Sequence, residues 1–328
     1  MGKCASAEST KPKKYIPEDT LDRYLGRCLN GSSSRNSYSK PNIRLVGYIS
    51  QFYRRGCRNL YFNDVWQVRK QTEIFLMLTL IMDLKQYLDS TYLKTAAQAG
   101  LSEEENLKVA EQCIDEAIAE GFKLVMIRPE VVSLARKKVD AAKSEVLVGT
   151  VIDFPEGNSE VAEKLKEAQQ AIENGADELD FVIDYKAFKS GNSQKAKQEV
   201  YECTKLGLDH NKVVKWIIEV AALTSMEIVQ LSALIKNVII SRFDESDYEN
   251  VFVKSSTGFY KTPDGEPNGA TVESIKLMLE NSFPLPVKAA GGVRSFEEAQ
   301  QMVRLGVKRI GTSSAKAIID GEIAQGGY

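Results

Sequence analysis

The chain has 328 residues, 43% hydrophobic and 27% charged, with a formal net charge of -2. That balance suits one large α/β domain with an appendage, or two modest domains, and excludes a fibrous or wholly disordered protein. A single histidine, His210, leaves little from which to build a Ser-His-Asp triad or a multi-histidine metal site, and five scattered cysteines without a CxxC pair exclude a zinc site.

The first segment is set apart by charge. Residues 1–78 hold 14 Lys/Arg against 6 Asp/Glu, and the remainder holds 29 against 39, so a basic front precedes an acidic body. The opening MGKCAS fits the pattern for N-myristoylation at Gly2, with Cys4 able to take a second acyl chain and Lys11, Lys13 and Lys14 able to meet anionic lipid. The basic, aromatic stretch from Arg44 to Lys70 reads as a solvated or partner-binding extension; nucleic acid is the less favoured partner. The apolar run IFLMLTLIM is nine residues long, too short to span a bilayer. With no secretory signal and an odd cysteine count, a reducing, cytoplasmic location is expected, with membrane association only through acylation.

From Leu84 onward the pattern becomes regular. Eight apolar runs, YLDSTYL, GFKLVMIRP, EVLVGTVIDFP, DELDFVIDY, KVVKWIIEV, YENVFVKSS, FPLPVKAAG and VKRIGTSS, alternate with amphipathic stretches. Ser102, Ser159, Thr224, Thr271 and Ser295 read as helix N-caps, Gly121, Gly175 and Gly306 as helix stops, and His210 as part of a polar loop. Eight strand-helix units over about 245 residues predict an α/β fold of the (β/α)8 TIM-barrel type over 84–328, behind a basic extension over 1–83. An open doubly wound sheet is the minority alternative, since no GxGxxG turn follows the first strand.

Barrel enzymes place their chemistry at the C-terminal ends of the strands. Lys254 and Lys288 are expected to end strands six and seven, side by side, where desolvation and like charge lower the pKa of an amine and free its lone pair for imine formation. Asp180, in ELDFVIDY on strand four, supplies a carboxylate for proton transfer. Gly291 and Gly292 in AAGGVRS, and Gly311, Thr312, Ser313 and Ser314 in RIGTSSA, follow strands seven and eight, where backbone amides and hydroxyls can hold a phosphate. Each of these residues has an ordinary role in a solvated rim or a simple turn, but together they point to a phosphorylated carbonyl compound.

The same residues resemble the deoxyribose-phosphate aldolase family over residues 84–328. LDSTYLK, GFKLVMIRPEVV, VIDFPEGN, GADELDFVIDYKAFKSGN, VFVKSSTGFY, GATVESIKLM, VKAAGGVRS and GTSSA appear in the family's order. The resemblance implies reversible cleavage of 2-deoxyribose 5-phosphate to glyceraldehyde 3-phosphate and acetaldehyde, with no metal or organic cofactor. Lys254 would form the imine, Lys288 would tune it and Asp180 would relay protons. Gly258, Gly292, Ser313 and Ser314 would hold the phosphate, and Tyr328 matches a terminal tyrosine that assists proton transfer in some members. A homo-oligomer is compatible with this reading. The sequence departs from the family at Ser90, Arg128, Asp153, Asp184 and Val220-Ala221. Those departures motivate a competing reading, a membrane-tethered scaffold that keeps the fold with little or no turnover.

Overall fold

The computed structural model describes residues 84–266 and 268–322. The basic extension, the acylation motif at Gly2 and Cys4, and Tyr328 lie outside the described residues. Eight strands run in chain order: β1 (Leu88–Tyr92), β2 (Leu124–Ile127), β3 (Leu147–Ile152), β4 (Glu178–Val182), β5 (Val213–Ile217), β6 (Val251–Lys254), β7 (Val287–Ala290) and β8 (Arg309–Thr312). Each pairs in parallel with the next, and β8 returns to β1. The sheet is therefore a closed barrel, and the open-sheet alternative is excluded.

All eight strands fall within the apolar runs of the sequence. Their residues are almost continuously buried because each strand faces the barrel interior on one side and helices on the other. Outside the barrel, Trp216 of β5 stacks on Phe181 of β4 at 5.2 Å between ring centres. Its indole nitrogen donates to the Thr204 hydroxyl at 3.0 Å, so the ring is buried without an unpaired N–H.

The helical layer comprises α1 (Ala96–Ala99), α2 (Glu103–Glu120), α3 (Val132–Ala141), α4 (Val161–Glu173), α5 (Tyr185–Lys189), α6 (Ser193–Asp209), α7 (Ser225–Arg242), α8 (Val272–Ser282), α9 (Phe296–Leu305) and α10 (Ala315–Asp320). Ser102, Thr224, Thr271 and Ser295 cap α2, α7, α8 and α9 with reciprocal capping boxes. Gly121 and Gly306 end α2 and α9 in left-handed conformations. His210 is exposed at the C-terminal cap of α6, in keeping with a polar loop position.

Ser159 does not behave as expected. The N-cap of α4 is Glu160, and Ser159 turns back to donate its amide and hydroxyl to Asp153 at 2.8 and 2.7 Å. A nearby carboxylate offered two hydrogen bonds, which outcompeted a single capping interaction. The same loop is anchored by Lys164, whose buried ammonium donates to the Gly157 and Val182 carbonyls and pairs with Glu199 at 2.5 Å. Asp153 and Asp184 belong to this scaffold between the helices, with Asp184 capping α5 and pairing with Lys195 at 3.0 Å. Neither lines the cleft at the barrel mouth.

Candidate active site

The interior of the barrel is polar where most barrels of this size pack aliphatic side chains. Asp89 from β1, Glu178 and Asp180 from β4, Lys215 from β5, Lys254 from β6, Lys288 from β7 and Arg309 from β8 are all buried. Asp180 is the hub. One of its oxygens accepts from Lys215 at 2.7 Å, and the other accepts from Lys254 at 2.8 Å and Lys288 at 2.9 Å.

A second tier closes the network. Lys288 also pairs with Asp89 at 2.6 Å, Lys215 pairs with Glu178 at 2.5 Å, and Arg309 bridges Asp89 and Glu178. The Lys288–Asp89 and Lys215–Glu178 contacts are ion pairs without hydrogen-bond alignment. Register explains the convergence: Asp180 lies opposite Lys215, and Lys254 lies opposite Lys288, on paired strands.

The charges around Lys254 bear on its protonation. Three carboxylates face four cations, so one positive charge is in excess in a buried network that meets the cleft at Lys254. Burial draws Lys254 down to about 8; Asp180 opposes that shift, while Lys288 and Lys215 add to it. Burial by itself would raise Asp180, but Lys215, Lys254 and Lys288 together hold its carboxyl well below the usual range. Burial would likewise lower Lys215, yet Asp180 and Glu178 keep its pKa raised. With Lys254 neutral, three anions balance three cations. Of the network's amines, Lys254 lines the cleft and is drawn down to about 8.

Lys254 ends β6 as expected, at the floor of the cleft. Lys288 does not end β7: it is the second residue of that strand and is fully buried. The alternation of strand side chains carries it inward beside Asp89 and Asp180 instead of out to a rim. Among the described residues, no group of three or more His, Cys, Asp or Glu is placed to hold a metal ion.

Above Lys254 opens a solvent-connected cleft whose walls come from the segments after β6, β7 and β8. Gly258, Gly291, Gly292, Gly311, Thr312, Ser313 and Ser314 all line it. Their roles differ. The amides of Gly292 and Ser313 have no acceptor among the described residues and are exposed at the cleft. The Gly258 amide instead donates to the Ser256 hydroxyl at 2.9 Å. Thr312 donates its hydroxyl to the Val293 carbonyl at 2.8 Å and accepts from the Ser314 amide at 3.0 Å, tying the two glycine-containing loops together. Thr312 and Gly258 therefore shape the cradle more than they offer donors to it.

A close backbone crossing holds the cradle in place. Gly269, in the loop after β6, packs so tightly on Gly291 that a Cβ on it would sit 2.6 Å from the Gly291 Cα. Gly269→Ala is expected to displace the β7 loop, raising KM for a phosphorylated substrate about tenfold at a stability cost of about 1–3 kcal/mol. Steady-state kinetics with thermal melts would check this, and an unchanged KM would show that the crossing is not needed for binding.

Comparison with known proteins bears on what this geometry serves. A sequence model described as DeoC/LacD family aldolase matches residues 78–321. The chain belongs to the DeoC/LacD aldolase family. A deoxyribose-phosphate aldolase of Thermococcus gammatolerans is 38% identical over 241 residues, which is 73% of this chain and 96% of that protein. Deoxyribose-phosphate aldolase 1 of Staphylococcus aureus (strain MSSA476) is 39% identical over 248 residues, 75% of this chain and all of the relative. The tetrameric deoxyribose phosphate aldolase of Aeropyrum pernix superposes with a TM-score of 0.58 at 27% identity, covering 74% of this chain and 95% of that one.

In this DeoC/LacD chain, Lys254, Lys288 and Asp180 meet as expected, whereas Asp89, Glu178, Lys215 and Arg309 went unread in the sequence. Their signal was present: Glu178 and Asp180 alternate on β4, and Lys215 interrupts an otherwise apolar strand. Charged residues at inward positions of buried strands require partners, and that rule could have found them. Arg294 and Asn268, which also line the cleft, were likewise missed.

Of the departures from the family pattern, Ser90 lies 3.5 Å from the Cys113 sulfur, and Val220 is buried in the core. Arg128 donates to the Leu93 carbonyl at 2.9 Å and lies over the Phe154 ring. None of them enters the Asp180 network.

Proposed function

We propose that this enzyme is a class I aldolase that reversibly cleaves 2-deoxy-D-ribose 5-phosphate to D-glyceraldehyde 3-phosphate and acetaldehyde. The observation that carries the reading is a buried lysine, Lys254, lowered to about 8 and held against a carboxylate beneath a cleft lined by glycine and hydroxyl residues. Neutral Lys254 attacks the C1 aldehyde, and the carbinolamine loses water to give an iminium. A base removes the C3 hydroxyl proton, the C2–C3 bond breaks, and its electron pair passes into the iminium to leave an enamine. Protonation at C2 and hydrolysis then release acetaldehyde and free Lys254.

Asp180 and Lys288 are suited to moving protons in these steps through a water at the cleft, since an ionised carboxylate and an amine within 2.9 Å of each other adjoin the nucleophile. Gly292 and Ser313, with Gly291 and Ser314 beside them, would hold the phosphate. Relatives named deoxyribose-phosphate aldolase support this substrate. Assembly into homo-oligomers is proposed on the tetrameric A. pernix relative. No helix among the described residues is long and apolar enough to cross a membrane, and the scaffold reading gains no support from a site whose charges are balanced for catalysis.

The direct test is turnover of deoxyribose 5-phosphate as a function of pH. Because neutral Lys254 is the reactive form, kcat/KM should rise with pH through an inflection near 8 and fall away on the acid side. A profile flat between pH 6 and about 9 would remove the titrating amine from the mechanism. Lys215→Met takes away a cation that both occupies Asp180 and repels the Lys254 proton. The same inflection should then move about one unit to higher pH. A shift to lower pH would mean that added apolarity outweighs the lost charge.

A further inference from the structure

Glu219 lies just beyond β5, is 1% exposed, and is not used by the chemistry above. Its backbone is left-handed, with φ 57° and ψ 66°, a conformation that a non-glycine residue keeps only where its surroundings over-determine it. The surroundings are specific. On one side the Ile218 amide donates to the Lys254 carbonyl at 3.0 Å, and on the other the Val220 amide donates to the Ser255 carbonyl at 2.8 Å. Pinned between these bonds, the residue turns its carboxylate onto the segment that follows Lys254.

There the carboxylate gathers three donors. The Ser256 hydroxyl reaches one oxygen at 2.8 Å, and the other accepts from the Thr257 amide at 3.3 Å and from the Thr257 hydroxyl. Both hydroxyls then pass the constraint along the chain. Ser256 accepts from the Gly258 amide at 2.9 Å, and Thr257 accepts from the Phe259 amide at 3.0 Å. Ser256 also lies 2.6 Å from the Asn268 carbonyl, next to the Gly269 crossing on Gly291. One side chain thus sets the turn over 256–259, and Ser256, Thr257 and Gly258 form one wall of the cleft.

We propose that Glu219 is a positioning residue for substrate specificity, which fixes the wall after Lys254 so that the cleft admits the phosphate end of the substrate while C1 reaches the amine. The proposal rests on the aldolase reading above. It assigns Glu219 no contact with substrate and no proton transfer. Its effect should therefore appear in discrimination between phosphorylated and unphosphorylated substrates.

The experiment compares wild type, Glu219→Gln and Glu219→Ala on deoxyribose 5-phosphate and on deoxyribose, with borohydride trapping at saturating substrate. In Glu219→Ala the preference for the phosphorylated sugar should shrink about tenfold, mostly through KM, while the adduct still forms on Lys254. Glu219→Gln keeps the shape and one acceptor oxygen for Ser256, so it should fall between the two. It carries the same comparison if the alanine variant does not fold. Equal proportional losses on both substrates, or no change in either variant, would overturn the proposal. Absence of turnover and trapping in the wild type would instead remove the aldolase reading, and this inference with it.

Discussion

Lys254→Met is expected to abolish turnover of deoxyribose 5-phosphate, by about 10⁴-fold or more, and to eliminate the borohydride-fixed adduct, because Lys254 is the amine of the network that lines the cleft and has its pKa drawn down to about 8. Stability should hardly change. The methionine keeps the length and apolar stem of the lysine, Asp180 retains Lys215 and Lys288, and the remaining three cations still match three carboxylates. Loss of activity with an intact melting transition would separate a nucleophile from a structural lysine. Mass spectrometry of the trapped protein reads the same point directly. A persistent adduct on another lysine would transfer the role to that residue.

Asp180→Asn should fail in a different way. It leaves Lys215, Lys254 and Lys288 around a neutral amide, with two carboxylates against three permanent cations, at a cost of about 3–5 kcal/mol. The folded pKa of Asp180 lies well below its ordinary 3.8, so its stabilising contribution is present above that value and is lost as pH falls through the folded one. The variant should accordingly be destabilised at neutral pH and lose progressively less, relative to wild type, in strong acid. Turnover should drop about 10²–10⁴-fold through loss of proton transfer. Chemical denaturation at two pH values, paired with kinetics, checks both statements. A variant as stable as wild type at pH 7 would show that the three lysines do not need this carboxylate.

These two outcomes also mark what could be read from the chain. Lys254 and the glycine-containing turns are legible because each stands at a strand end or in a turn of unusual composition, and Asp180 because a carboxylate interrupts an apolar strand. Lys288 was legible as a residue and misplaced as a position. Its run FPLPVKAAG does not reveal where the strand begins, and β7 starts one residue before it. A shift of two residues along a strand decides between a solvated rim and a buried network. Ser159 shows the same limit on a smaller scale, since its choice of Asp153 over the helix end depended on a neighbour that a capping pattern does not include.

By itself, the sequence determined the eight-unit alternation, four of the five expected helix caps, and the amine and carboxylate proposed here for the chemistry. Those features follow from periodicity and from short-range hydrogen bonding, which act within a few residues. Only the tertiary structure decided that Asp89, Glu178, Lys215 and Arg309 enclose the pair of lysines, that burial draws Lys254 down to about 8, and that Glu219 bonds the turn beside it. Such facts depend on barrel register and burial. Closing the sheet brings Asp89 and Arg309 together across 220 residues, and exclusion of water makes their charges matter.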